Sequence, residues 1–115
     1  MTPKRILFVI AHAPRRGALA HETLDEILVG AAFDQRISVI FLGDGVYQLV
    51  DGAATDGIAR GFRALPTYDV DAIFVDEAAL LRRGLAIESL ALPVRPLKRE
   101  AIQALVAAQD VVVPD

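Results

Sequence analysis

Unbroken apolar runs alternate along this chain with stretches whose apolar residues recur at helical spacing. Ile6-Leu7-Phe8-Val9-Ile10-Ala11 has no polar position and is rich in β-branched residues, which suits a strand covered on both faces. Leu24, Ile27, Leu28 and Ala31 follow the i, i+3, i+4, i+7 spacing of an amphipathic helix. Ile37-Ser38-Val39-Ile40-Phe41-Leu42 reads as a second buried strand, ended by Gly43-Asp44-Gly45, since glycine permits a sharp turn. Thr55 or Asp56 caps a predicted helix through Ile58, Phe62 and Leu65, stopped by Pro66.

Ala72-Ile73-Phe74-Val75 is the third strand, and Glu77–Arg83 a short helix ended by Gly84. Leu92-Pro93-Val94-Arg95 is a weaker strand because of its proline. Pro96 suits the first turn of a last helix, whose apolar face is Ala101, Ile102, Leu105 and Ala108, and Val111-Val112-Val113 closes the chain's pattern as a strand. Continuous apolar strands joined by helical crossovers imply a mostly parallel sheet of about five strands with helices on both faces. The expectation is an α/β three-layer sandwich of flavodoxin-like size. At 115 residues the chain has room for one domain, spanning 1–115, with no repeat or linker.

Composition sharpens this picture. The chain is 54% hydrophobic with a mean hydropathy of +0.42. Its longest runs free of Asp, Glu, Lys and Arg, Ile6–Pro14 and Ala101–Gln109, are about nine residues, against about 20 for a spanning helix. The short run after Lys4-Arg5 reads better as a strand than as a signal-peptide core, so the expected location is the cytoplasm. Cover by other subunits remains as the explanation of the excess hydropathy. A net charge of −3 argues against a dedicated nucleic-acid binder. Basic pairs such as Arg82-Arg83 are expected to be a solvated face. There is no cysteine, which excludes disulfides, thiolate metal sites and a thiol nucleophile.

Candidate chemistry lies beyond the carboxyl ends of the strands, where ligands bind in such sheets. His12 follows strand one, Asp44 follows strand two and Asp76 follows strand three. Together they allow a metal site or an acid–base pair of a small hydrolase or metal enzyme. Separately, Asp76 is a helix cap and Asp44 a turn residue. There is no phosphate-loop, dinucleotide-binding or nucleophile-elbow motif, and neither a cofactor nor a metal is expected. Val46, Tyr47, Leu49 and Val50 follow the turn without clear period; they suit either the chain's own core or a partner subunit, with Tyr47 the natural anchor.

Several segments in order resemble the DsrE/DsrF-like family, most closely its TusC/DsrF subunit type. They are Arg5-Ile6-Leu7-Phe8-Val9, the loop Ala13–Gly17, Glu22-Thr23-Leu24-Asp25, Tyr68-Asp69-Val70, Leu80-Leu81-Arg82-Arg83-Gly84-Leu85, Pro96-Leu97 and Asp110-Val111-Val112. The most specific is Val39–Leu49, in which Asp44-Gly45-Val46-Tyr47-Gln48-Leu49 is similar to the family's D-G-V-[FY]-Q-L. The resemblance covers the whole chain. It implies the same small sandwich, in a heterohexamer with TusB-like and TusD-like (DsrH-like and DsrE-like) partners. That assembly relays persulfide sulfur, through a TusA-like carrier, toward 2-thiolation of the tRNA wobble uridine. A sister complex serves sulfur oxidation, and a stand-alone homo-oligomeric DsrE-like binding protein is the alternative.

The resemblance also exposes a departure. In the family's sulfur-carrying TusD-like subunit, and in some TusC-like chains, a cysteine stands eight residues before the R-G glycine, and counting back eight from Gly84 gives Asp76. A carboxylate cannot hold a persulfide, so the resemblance implies a subunit without a catalytic residue. Its family-motif or interface candidates are Gly43, Asp44, Gly45, Val46, Tyr47, Gln48, Asp76, Arg83 and Gly84.

Overall fold

Arg5–Ile10 (β1), Arg36–Phe41 (β2), Ala72–Asp76 (β3), Arg95–Leu97 (β4) and Val111–Pro114 (β5) form one sheet in a computed structural model. The structure describes residues 3–13, 19–50, 62, 64–70, 72–90 and 92–115, with residues 19–23 as backbone only. The sheet order is β4-β3-β2-β1-β5, and every pairing is parallel. Helices Leu19–Ala32 (α1), Glu77–Arg82 (α2) and Arg99–Ala107 (α3) lie between strands. The expected α/β sandwich is therefore present, with a wholly parallel sheet. Its strand order differs from the flavodoxin order, in which β1 lies between β2 and β3.

The chain lays β2, β3 and β4 successively to one side of β1, then returns to place β5 on the other side. Right-handed crossovers put α1 and the returning α3 on opposite faces of the sheet. The strand order reverses between β1 and β5.

Strand alternation decides which face carries the main core. Phe8 and Ile10 of β1, Ile37, Val39 and Phe41 of β2, and Ile73 and Val75 of β3 share one face and are buried with Leu24 and Ile27 of α1. Phe62 packs edge-on to Phe41, with ring centroids 5.5 Å apart and an interplanar angle of 76°, an aromatic geometry worth about 0.5–1.5 kcal/mol beyond area burial. The other face has a thinner cover. Leu7 and Ile40 are fully buried there, but α3 has no buried residue. Of its expected apolar face, Ile102 and Leu105 are half-buried while Ala101 and Ala108 are exposed.

Three boundaries differ from the sequence reading. The fourth strand, expected over Leu92–Arg95, runs over Arg95–Leu97. Pro66 does not stop a helix after Leu65; it occupies the first turn of a short 3-10 helix, Leu65–Tyr68, where its missing N–H costs nothing. The predicted cap at Thr55 or Asp56 and Ile58 lie outside the described residues. Pro96 opens no helix: it lies in β4, opposite Val75. β4 is an edge strand, where a residue without an N–H is tolerated, and α3 starts only at Arg99.

Candidate functional site

The carboxyl edge is built around the turn after β2. Leu42 N–H donates to the Ile10 carbonyl at 2.9 Å, and Gly45 N–H donates back to Leu42 O at 2.8 Å. This draws the Gly43–Leu49 3-10 helix tightly over the end of β1. A Cβ on Gly45 would stand 1.9 Å from the Ile10 carbonyl oxygen, so only glycine fits. Gly43 has φ +50, in the left-handed region that glycine enters at little cost. Residues three apart eclipse one another in a 3-10 helix. Val46 and Leu49 accordingly turn inward and are fully buried, while Tyr47 is 37% exposed. The segment thus divides between the chain's own core and the surface.

Two motifs far apart in sequence meet here. The guanidinium of Arg83 donates to Asp44 Oδ1 from Nη2 at 2.8 Å and from Nε at 3.2 Å. Its Nη1 donates to the Ala79 carbonyl at 3.1 Å, and its Cζ lies over the Tyr47 ring, 5.9 Å from the centroid. Arg83 is therefore no freely solvated member of a basic pair, unlike exposed Arg82. It follows directly after α2 and is held there because Gly84, at φ +64, turns the chain away.

Asp76 ends β3 and caps α2. Its side chain accepts from Ala78 N–H at 3.1 Å, which satisfies one of the donors left open at a helix start. His12 lies at the reversal point. Its Nδ1 is 2.9 Å from Asp115 Oδ1; a carboxylate only accepts, so Nδ1–H is the donor in this pair. Asp115 also accepts from the backbone N–H groups of Ala11 at 3.1 Å and His12 at 3.4 Å. Its side chain is 7% exposed, against 46% for His12. The sequence reading overlooked Asp115; an acidic residue one step past a parallel strand at the ligand-binding edge was the available signal. Gln48 is buried beside this loop and donates from Nε2 to the His12 carbonyl at 3.2 Å, while its Oε1 has no partner among the described residues.

His12, Asp44 and Asp76 share an edge of the sheet but not a site. Each is engaged by a different neighbour: Asp115, Arg83 and the backbone of α2. Among the described residues no group of three or more His, Asp or Glu side chains could hold a metal ion. The alternative reading of a metal or acid–base cluster built on the three is not supported: local hydrogen bonds engage each group with a different partner. What the edge presents, among the described residues, is a set of separately engaged polar side chains, with the Asp44–Arg83 pair beside half-exposed Tyr47.

Among the described residues no helix is long and apolar enough to cross a membrane. The family model of the DsrE/DsrF-like family matches residues 4–114. The chain is 41% identical over 92 residues to "Intracellular sulfur oxidation protein DsrF" of Allochromatium vinosum, covering 76% of this chain and 68% of that protein. It is 35% identical over 113 residues to "Protein TusC homolog" of Pseudomonas aeruginosa, covering 94% and 95%. The TusC homolog of Vibrio parahaemolyticus is 33% identical over 104 residues, covering 86% and 88%. The crystal structure of the ychN protein from E. coli superposes with a TM-score of 0.82 at 14% identity over 97% of this chain and 99% of that one, a likeness of fold. The order of segments, the parallel sheet and these matches agree: the chain belongs to the DsrE/DsrF-like family.

Proposed function

We propose that this chain is a non-catalytic subunit of a TusBCD/DsrEFH-like sulfur-relay heterohexamer in the cytoplasm. It assembles with TusB-like and TusD-like (DsrH-like and DsrE-like) subunits and supports persulfide transfer, by way of a TusA-like carrier, toward 2-thiolation of the tRNA wobble uridine. One observation carries the reading: a chain similar along most of its length to DsrF and TusC homologues has no cysteine. At the end of β3 it holds Asp76, whose carboxylate is engaged as a helix cap. A persulfide needs a sulfur atom to be carried on, so the sulfur must ride on another subunit. This chain's part is to shape the assembly.

Co-expression with TusB-like and TusD-like chains tests this. The expected result is one co-purifying complex whose native mass fits two copies of each. A chain that instead forms a stable homo-oligomer and ignores both partners is a stand-alone binding protein. A second end-point follows from the likeness to a sulfur oxidation protein: the same assembly feeding sulfur oxidation. Deleting the gene separates the two, since loss of 2-thiouridine from tRNA marks the first and impaired sulfur oxidation with normal tRNA the second.

A further inference from the structure

At the amino edge of the sheet, opposite the carboxyl edge just described, Pro3, Lys4, Arg5, Arg36 and Asp110 line an open cleft of about 480 Å³. Its composition runs against that of the chain. The whole molecule has a net charge of −3, yet this cleft gathers three cations around one carboxylate.

The arrangement is held in place by the backbone. Arg36 N–H donates to the Lys4 carbonyl at 2.9 Å, and Asp110 N–H to the Arg5 carbonyl at 2.8 Å. Lys4 N–H donates to Gln35 Oε1 at 2.8 Å, and Arg5 N–H to Asp110 Oδ2 at 2.8 Å. Three segments distant in sequence are thereby tied into one floor. On that floor Arg5 and Arg36 are register partners in adjacent parallel strands, so their side chains leave the same face of the sheet as neighbours. Like charges placed directly side by side oppose folding. Asp110 offsets only Arg5, its Oδ2 lying 3.8 Å from Arg5 Nε. Among the described residues no carboxylate pairs with Lys4 or Arg36. The negative end of α3, a few residues before Asp110, removes a further half charge, which still leaves the cleft cationic.

We infer that this cleft binds a small molecule bearing a dianionic oxyanion group of the phosphate or sulfate class. The planar guanidinium of Arg36 matches two oxygens of such a group, and the ligand's charge relieves the Arg5–Arg36 repulsion. The cleft's volume falls within the range of small-molecule sites and has room for more than a bare ion. The inference is independent of the sulfur-relay reading.

The test is titration of the purified chain with inorganic phosphate, sulfate and ribose 5-phosphate, with ionic strength held constant by sodium chloride. Saturable shifts of the Lys4, Arg5, Arg36 and Asp110 amide resonances are expected, with a rise in Tm. Tighter binding of ribose 5-phosphate than of phosphate marks an oxyanion carried on a larger molecule; equal binding marks the free ion. Arg36→Gln weakens binding about tenfold, the order expected for one charge-assisted contact. Arg36→Glu abolishes the response and raises Tm in phosphate-free buffer, because it turns a like-charge pair into an opposite-charge one. Shifts that chloride reproduces, or that survive Arg36→Gln unchanged, overturn the inference. So does binding of nucleic acid without saturable binding of any of the three probes.

Discussion

Arg83 reaches back 39 residues to grip Asp44, placing two nitrogens on a single carboxylate oxygen at 2.8 and 3.2 Å. The link joins the turn after β2 to the end of α2. It is asymmetric in solvent: the Arg83 side chain is 20% exposed and that of Asp44 63%.

That asymmetry sets the expected energies. The charge pair itself reaches far into water and should couple by only about 0.5–1 kcal/mol in a double-mutant cycle with Ala at both positions. Arg83→Ala should cost more, about 1–2 kcal/mol by urea unfolding, because it also strips the bond to the Ala79 carbonyl and the cover over Tyr47. Asp44→Ala should cost under about 1 kcal/mol. Equal costs for the two single variants would mean that the ion pair, not the guanidinium's other contacts, holds the turn.

The two glycines flanking Asp44 differ in why they are glycine, and mutation should separate them. At Gly43, among the described residues, nothing lies within 4 Å of a built Cβ, and the obstacle is φ +50. Alanine there should cost about 1–2 kcal/mol. At Gly45 the added Cβ meets backbone, the Ile10 carbonyl, which cannot swing aside as a side chain could. Gly45→Ala should cost more than about 3 kcal/mol or prevent folding, a magnitude typical of severe overpacking. Chemical denaturation of both variants checks the order; a Gly45→Ala chain as stable as Gly43→Ala would show that β1 and the turn can separate.

The centre of the sheet was legible because β1, β2 and β3 are nearly continuous apolar runs, a pattern that survives ignorance of tertiary context. Edges were less so: Pro96 carries the same fixed φ in a first helical turn and in an edge strand, and only the neighbour at Val75 tells the two apart. The site was legible as motifs but not as contacts. D-G-V-Y-Q and R-G stood out separately, whereas the hydrogen bond between them depends on how far α2 runs before Gly84 turns the chain. Asp115 had no motif around it, and its link to His12 exists because the sheet order brings β5 beside β1.

Asp76 tests the assignment of the β3 end to architecture. As the cap of α2 it bonds one backbone N–H at 3.1 Å. Asp76→Ala should lower stability by about 1 kcal/mol. Asp76→Asn and Asp76→Ser retain a capping oxygen and should lower it by only a few tenths. Sulfur transfer through the reconstituted assembly should be unchanged in the Asn and Ser variants. A large loss of transfer in those variants, at normal stability and normal assembly, would place the carboxylate in the chemistry instead.

Tyr47 should separate folding from assembly. Its neighbours Val46 and Leu49 are fully buried and belong to the chain's own core, while its own ring stays 37% exposed beneath the Arg83 guanidinium. A half-exposed aromatic gives up little on truncation in the isolated subunit, so Tyr47→Ala should cost under about 1.5 kcal/mol of stability, chiefly the contact with Arg83. The same ring buried against a partner subunit is the kind of residue that dominates association energy, where truncation commonly costs 2 kcal/mol or more. Affinity for the co-expressed TusB-like and TusD-like chains should then fall by a factor of about thirty, measurable as subunit dissociation on dilution. Tyr47→Phe should lose little in either measurement if area matters most, and should weaken assembly alone if the hydroxyl bonds across the interface. Should Tyr47→Ala assemble as tightly as the parent chain, the rim around Asp44 and Arg83 does not face a partner.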